Sequence, residues 1–127
     1  MLWITKESGS VARPWGKGDD ILRGGDGSDV YLFEFDWGQD IIDNYDADAL
    51  NQQIDTLQFG IGITPSSIFL FHSDNDLLII KSGQNDSILV KNYFVNDATT
   101  SAAIESLQFY DGSIWDVAGV KSIIASY

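Results

Sequence analysis

Short apolar stretches alternate with turns rich in glycine, aspartate and asparagine along most of the chain. Residues 55–59 and 105–109 alternate apolar and polar positions, which predicts strands with one buried face. Both stretches fit I-[DE]-[ST]-L-Q-F when the preceding isoleucine is included, so the same structural unit is predicted to recur, with chance similarity as the alternative. Residues 68–94 contain three apolar runs separated by two polar turns, which predicts an antiparallel meander.

The ends of the chain carry further local signals. Residues 2–5 predict an edge strand, and Asp111-Gly112 between two apolar segments is a strong hairpin signal. Asp116 is predicted to cap a helix over residues 117–125, in which every third or fourth residue is apolar. Six aromatic side chains between positions 69 and 115 are predicted to fill the core rather than to form a ligand-binding surface: Phe69, Phe71, Tyr93, Phe94, Phe109 and Trp115.

Residues 15–32 contain two nine-residue units laid end to end, WGKGDDILR and GGDGSDVYL. In each unit a glycine-rich turn closes on an aspartate, and a large apolar residue follows two positions later: Asp20 precedes Leu22, and Asp29 precedes Tyr31. Glycine permits the tight curl that turns backbone carbonyls toward one point, and the aspartate adds a carboxylate there. Calcium prefers such a mixture of carboxylate and carbonyl oxygens, and this spacing matches the calcium-binding nonapeptide of parallel β-helices.

Two such repeats form one coil, so each turn is expected to stack on the turn about eighteen residues later. Asp20 then needs a partner near position 38, and Asp40 lies close to it. Asp29 needs a partner near position 47, which Asp46 and Asp48 straddle. A metal ion between stacked turns would hold two layers of strands together. The alternative is that these are plain turns, because glycine and aspartate favour turns in any case.

Because the nine-residue unit occurs twice in succession with the same spacing, we favour calcium-binding turns over plain turns. The predicted metal ligands, through carboxylates or through carbonyls and turn geometry, are Gly16, Gly18, Asp20, Gly25, Gly27, Asp29, Asp40, Asp46 and Asp48. Weaker candidates are Asp19, Asp26, Asp43 and Asp55.

These residues resemble the repeats-in-toxin (RTX) family of haemolysin-type calcium-binding proteins, and the resemblance extends beyond the repeats. Residues 29–33 resemble the D-x-Y-x-F with which such arrays close, and residues 38–43 resemble the G-x-D-x-I-x-D that follows. Segments 76–81, 86–94 and 104–116 resemble the haemolysin-related flank of these arrays. The departures are that Trp15 replaces the first glycine and that only two clean repeats are present.

The resemblance implies a right-handed parallel β-roll, folding coupled to calcium, and export by a type I secretion system. The predicted fold is therefore all-β in a single domain: a short parallel β-roll of nonapeptide repeats over residues 15–60, capped over residues 61–127 by antiparallel strands and a short C-terminal helix. Capping is expected because a repeat solenoid buries its faces only against its neighbours. The family carries its export signal at the C-terminal end, and residues 1–10 lack the apolar core of a classical signal peptide.

The charge agrees with metal-coupled folding. The chain of 127 residues has a net charge of −12, and such self-repulsion disfavours a compact state until cations bind, although solubility alone would also account for it. The seven Lys and Arg residues form no basic run, which argues against nucleic acid and anionic membranes as partners. No stretch is long and apolar enough to predict a membrane span.

The residue inventory excludes several enzyme classes. Cysteine is absent, so disulfides and thiolate metal sites are excluded. His72 is the only histidine, and neither H-E-x-x-H nor G-x-S-x-G occurs, which argues against zinc proteases and serine hydrolases. His72 is predicted to have a surface or capping role.

The sequence thus predicts a non-enzymatic calcium-binding domain of a larger secreted protein, with calcium ions and the rest of that protein as its partners. Two alternatives stay open. The first is a carbohydrate-binding or adhesive module with structural calcium and a glycan or cell-surface target, which a row of exposed aromatic residues would favour. The second is the non-catalytic C-terminal part of a secreted enzyme.

Overall fold

The computed structural model describes residues 2–5, 11–12, 20–23, 30–34, 37–43, 55–83, 86–95 and 104–127. These residues are mostly β, in two mixed sheets, with one short C-terminal helix. The strands are β1 (Leu2–Thr5), β2 (Val11–Ala12), β3 (Asp20–Arg23), β4 (Val30–Phe33), β5 (Gln39–Asp43), β6 (Thr56–Phe59), β7 (Ile68–Ser73), β8 (Asp76–Lys81), β9 (Ser87–Val90), β10 (Ser106–Gln108) and β11 (Ile114–Asp116). A 3₁₀ turn spans Pro65–Ser67, and helix α1 spans Val117–Ala125.

The first sheet has six strands in the order β1-β3-β5-β9-β8-β7. Its first four strands pair in parallel, and the last three form the predicted antiparallel meander, which is confirmed. The predicted edge strand at residues 2–5 is also confirmed, because β1 lies at one end of this sheet beside β3. The sheet therefore changes from parallel to antiparallel pairing at β9.

The second sheet has five strands in the order β11-β10-β6-β4-β2. Strands β2, β4, β6 and β10 pair in parallel, and β11 folds back on β10. The two L-Q-F copies lie side by side in this sheet, with Leu57 opposite Leu107 and Gln58 opposite Gln108. The prediction that one type of unit recurs at the end of the chain is therefore confirmed for these two strands.

Alternate residues of both sheets enter one apolar core. Leu22 and Ile42 contribute from the first sheet, and Tyr31 and Leu57 from the second, all with no exposed surface. Period-two alternation explains this, because every second side chain of a strand faces the same side. Strands β1 to β6 belong alternately to the first and the second sheet, so the chain passes from one to the other between consecutive strands.

The C-terminal hairpin and helix follow their local signals. Strands β10 and β11 pair around Asp111 and Gly112; Gly112 has φ +95°, which favours glycine. The Asp111 carboxylate accepts a hydrogen bond from the Ser113 N–H at 2.8 Å, and this bond is the largest cause of a lowered Asp111 pKa. The Asp116 carboxylate accepts from the Gly119 N–H at 2.7 Å, so the predicted helix cap is confirmed together with the helix.

The prediction that all six aromatic residues fill core is wrong for Phe69 and Phe71, which are 42% and 40% exposed. Both lie on β7, which has a neighbouring strand on one side only, and they alternate with the buried residues Ile68 and Leu70. Tyr93 and Phe109 are buried, and Phe94 and Trp115 are partly buried against the core, as predicted.

Candidate metal centre

Asp20 and Asp40 lie opposite each other at the start of neighbouring parallel strands. The register of β3 and β5 pairs Ile21 with Ile41, and the Asp20 N–H donates a hydrogen bond to Asp40 Oδ1 at 2.9 Å. Both aspartates are buried, with Asp40 only 1% exposed. Asp40 therefore lies beside Asp20 on the neighbouring strand, as the spacing predicts. Calcium binding by the two remains a prediction.

The same cross-strand arrangement occurs at two further parallel junctions. Asp86 Oδ1 accepts a hydrogen bond from the Gly38 N–H at 3.0 Å, where β9 lies beside β5 in the first sheet. Glu105 Oε2 accepts a hydrogen bond from the Asp55 N–H at 2.8 Å, where β10 lies beside β6 in the second sheet. In each case the carboxylate comes from the later strand and the N–H from the earlier one. A buried N–H needs an acceptor, so these carboxylates satisfy backbone donors where each ladder begins.

Three of these aspartates share one edge of the first sheet. Strands β3, β5 and β9 are neighbours and run in parallel, so their amino-terminal ends meet at the same edge. We call this the acidic edge and define it by Asp20, Asp40 and Asp86, each at most 5% exposed. A buried carboxylate is costly unless it is hydrogen-bonded, protonated or bound to a cation. The acidic edge therefore offers the carboxylate oxygens that a hard cation prefers.

Asp86 and Glu105 share a local sequence signal with Asp20. Each stands two positions before a fully buried apolar residue, Ile88 and Leu107 respectively. Asp20 and Leu22 have the same spacing. Searching for an acidic residue followed two positions later by an apolar one, without requiring the glycines, would have found both.

Most of the predicted ligands lie outside the described residues. These are Gly16, Gly18, Gly25, Gly27, Asp29, Asp46 and Asp48, together with the weaker candidates Asp19 and Asp26.

In the second sheet the spacing of about eighteen residues holds between β2 and β4, where Val11 lies opposite Val30, an offset of 30 − 11 = 19 residues, but not beyond β4. The strand on the other side of β4 is β6, with Thr56 opposite Val30, an offset of 56 − 30 = 26 residues. Of the weaker candidates, Asp55 lies buried directly before β6. Asp43 forms an ion pair with Arg23, whose Nε lies 3.3 Å from Asp43 Oδ2, which places Asp43 in a partly exposed pair away from the buried carboxylates.

The donor set of the acidic edge fits calcium better than softer metals. It offers carboxylate oxygens, which calcium prefers, and no thiolate. Asp86 Oδ2 is buried and has no hydrogen-bond partner among the described residues, so it is an oxygen that a cation could use. Within the described part of the chain, no three side chains of the types His, Cys, Asp and Glu cluster closely enough to hold an ion by themselves. Backbone carbonyls or water would have to complete a coordination shell.

His72 and Tyr93 carry no sign of catalytic chemistry. His72 is exposed and stacks on Phe94 at 3.9 Å between ring centroids, which confirms its predicted surface position. The Tyr93 hydroxyl is buried and has no hydrogen-bond partner among the described residues. Burial, with smaller contributions from Glu105 and Asp116, raises the Tyr93 pKa well above its ordinary value, so the phenol stays neutral.

Comparison with known proteins identifies the class. Residues 76–118 match the family model of the haemolysin-type calcium binding protein related domain. The resemblance derived from the repeats and their flank is thereby confirmed. The chain is also similar to the iron-regulated protein FrpA of Neisseria meningitidis serogroup C, with 36% identity over 95 residues. That match covers 75% of this chain and 8% of FrpA, so the chain corresponds to a small part of its relative.

No helix within the described residues is long and apolar enough to cross a membrane.

Proposed function

We propose that this chain is a non-enzymatic calcium-binding β-roll segment of a larger secreted protein, which folds when calcium binds and supports type I secretion. The observation that carries the proposal is the buried Asp20–Asp40 pair, joined across parallel strands by a 2.9 Å hydrogen bond. The family match at residues 76–118 supports calcium as the ion. The match to a small part of FrpA supports a larger parent protein.

The strand arrangement supports a roll for the region of the repeats. Strands β1 to β6 alternate between the two sheets, and each of β1, β2, β3 and β4 pairs in parallel with the strand two places later. This is the pattern of a chain wound in flattened coils. Calcium bound between turns would hold successive coils together and supply positive charge where carboxylates are buried.

The charge explains why calcium would drive folding. A net charge of −12 and several buried carboxylates oppose compaction in the absence of cations. Binding to the folded state alone stabilises it by about 2.7 kcal/mol per site when calcium exceeds Kd a hundredfold. Asp20 and Asp40 would supply carboxylates, with Asp29, Asp46, Asp48 and the carbonyls of the repeat glycines as further predicted ligands. Low cytosolic calcium would then keep the chain export-competent, and external calcium would fold it.

Circular dichroism of the metal-stripped protein during a calcium titration tests this proposal, with magnesium as the control. We expect a transition from coil to β that calcium produces and magnesium does not, because magnesium requires a tighter octahedral shell and dehydrates reluctantly. Calorimetry on the same sample would count the ions. A metal-free protein that is already fully β, and that calcium does not stabilise, would contradict calcium-coupled folding.

A recognition module is the second candidate, and one surface favours it. Phe69 and Phe71 project from β7, and Phe71 contacts Tyr127 with ring centroids 5.8 Å apart. Exposed aromatic rings of this kind can stack on apolar faces of sugars. Glycan-array binding that is lost in Phe71→Ala but kept in Tyr110→Ala, an exposed aromatic on the C-terminal hairpin, would support this candidate. The absence of binding by the wild-type protein at saturating calcium would count against it.

A further inference from the structure

We propose that Asp86 binds a calcium ion at the junction of β5 and β9, outside the glycine-rich repeats. The inference rests on the proposed function and deepens it by adding a site in the segment that matches the haemolysin-related family model. The observation that carries it is a buried carboxylate oxygen, Asp86 Oδ2, with no hydrogen-bond partner among the described residues.

Asp86 makes the same kind of cross-strand hydrogen bond as Asp40. The register of β5 and β9 pairs Gln39 with Ser87, so Asp86 lies opposite Gly38. Its Oδ1 accepts from the Gly38 N–H, just as Asp40 Oδ1 accepts from the Asp20 N–H one strand earlier. Asp40 itself lies opposite Ile88, so Asp86 is displaced by two residues toward the start of the strands.

The local sequence supports the same comparison. Gly83 lies three residues before Asp86 and has φ +82°, and Ile88 follows two residues after it with no exposed surface. Gly38 has φ +83° and lies just before Asp40. The calcium-binding repeat also has a glycine, then an aspartate, then a large apolar residue two positions after the aspartate. The repeat has one residue between its last glycine and the aspartate, whereas this segment has two, so Asp86 resembles the repeat aspartate in the residue that follows it and not in its spacing from the glycine.

The second oxygen of Asp86 distinguishes a metal site from a simple backbone cap. One oxygen suffices to accept the Gly38 N–H, and Oδ2 is left in an environment that excludes water, since Asp86 is only 5% exposed. A buried charged group without a partner is costly, and a bound cation would remove that cost. Calcium is the cation that the carboxylates of the same edge and the family match both favour.

The backbone around Asp86 is held from two sides. Trp37 Nε1 donates to the Ser87 carbonyl at 3.1 Å, and the Lys81 N–H donates to the Asp86 carbonyl at 3.2 Å. These bonds hold the backbone on both sides of the Asp86 side chain, so little backbone ordering is needed on binding. Water and backbone carbonyls at the acidic edge would supply the remaining oxygens.

The variant Asp86→Asn tests the inference, because an asparagine oxygen can still accept the Gly38 N–H while the carboxylate charge is lost. The matched control is Asp76→Asn, whose carboxylate accepts one backbone N–H, from Asn92 at 2.7 Å, away from the acidic edge. Equilibrium dialysis at saturating calcium should find one fewer ion per chain in Asp86→Asn than in the control. An equal ion count with a calcium midpoint within about twofold of the control would overturn the inference and leave Asp86 as a backbone cap.

A measurement on the wild-type protein covers the case in which the variant does not fold. A paramagnetic lanthanide in place of calcium should broaden the amide NMR signals of Gly38 and Ser87, and excess calcium should restore them. Signals that stay sharp at full lanthanide occupancy would overturn the inference. If the wild-type protein binds no calcium, the proposed function fails as well; if it binds calcium and only the Asp86 result is negative, the proposed function stands.

Discussion

Asp40→Ala is expected to shift the calcium midpoint for folding at least about tenfold toward higher concentration, since one predicted site loses a carboxylate. In saturating calcium it should also lower the free energy of unfolding by about 1–3 kcal/mol, because the buried Asp20 N–H loses its acceptor. Calcium titrations followed by circular dichroism, and urea unfolding at fixed calcium, measure the two effects separately.

Asp40→Asn is the matched control for this substitution, because it keeps an oxygen for the Asp20 N–H and removes only the charge. If Asp40 binds calcium, the asparagine variant keeps most of the hydrogen-bond stability and still shifts the calcium midpoint. If Asp40 serves only as a backbone cap, the asparagine variant folds at the wild-type calcium concentration. The second result would remove Asp40 from the ligand set without affecting its structural role.

Trp37→Ala should lower the free energy of unfolding in saturating calcium by about 3–5 kcal/mol, the usual cost of truncating a large buried aromatic residue. The Trp37 side chain is 1% exposed, and its ring lies 5.3 Å from that of Phe33 and 6.3 Å from that of Phe59, measured between centroids. It also donates the hydrogen bond to the Ser87 carbonyl that ties β9 to the turn before β5. Urea unfolding monitored by circular dichroism gives the value.

Two variants make the Trp37 result specific. Trp37→Phe keeps a buried ring and loses the indole N–H, so we expect a smaller loss than for alanine. Tyr110→Ala removes an aromatic side chain that is 64% exposed, and its effect should stay within about 0.5 kcal/mol. A loss below about 1 kcal/mol in Trp37→Ala would show that the aromatic cluster does not stabilise the junction of β5 and β9.

Trp37 lies in a turn that departs from the repeat pattern. The third turn of the sequence carries this tryptophan and lacks the double glycine of the second repeat. In the fold the tryptophan fills the core between Phe33 and Phe59, so this turn contributes buried apolar volume.

Local signals were sufficient for much of the fold. Asp111-Gly112 predicted the hairpin, and Asp116 with the apolar period predicted the helix Val117–Ala125, because turns and caps depend on residues within a few positions of each other. The spacing of Asp20 and Asp40 predicted neighbouring strands, because consecutive coils of similar length align residues at a fixed offset.

The sequence by itself determined where strands, turns and helix form and which chemistry the repeats offer, since alternation, glycine and aspartate act locally. Only the tertiary structure decided which strands become neighbours over long separations. It placed β9 beside β5, which brought Asp86 to Gly38 across 48 positions. It also turned the face of β7 that carries Phe69 and Phe71 away from the core. Such pairings depend on how the whole core packs and on the lengths of intervening loops, and no short segment encodes either.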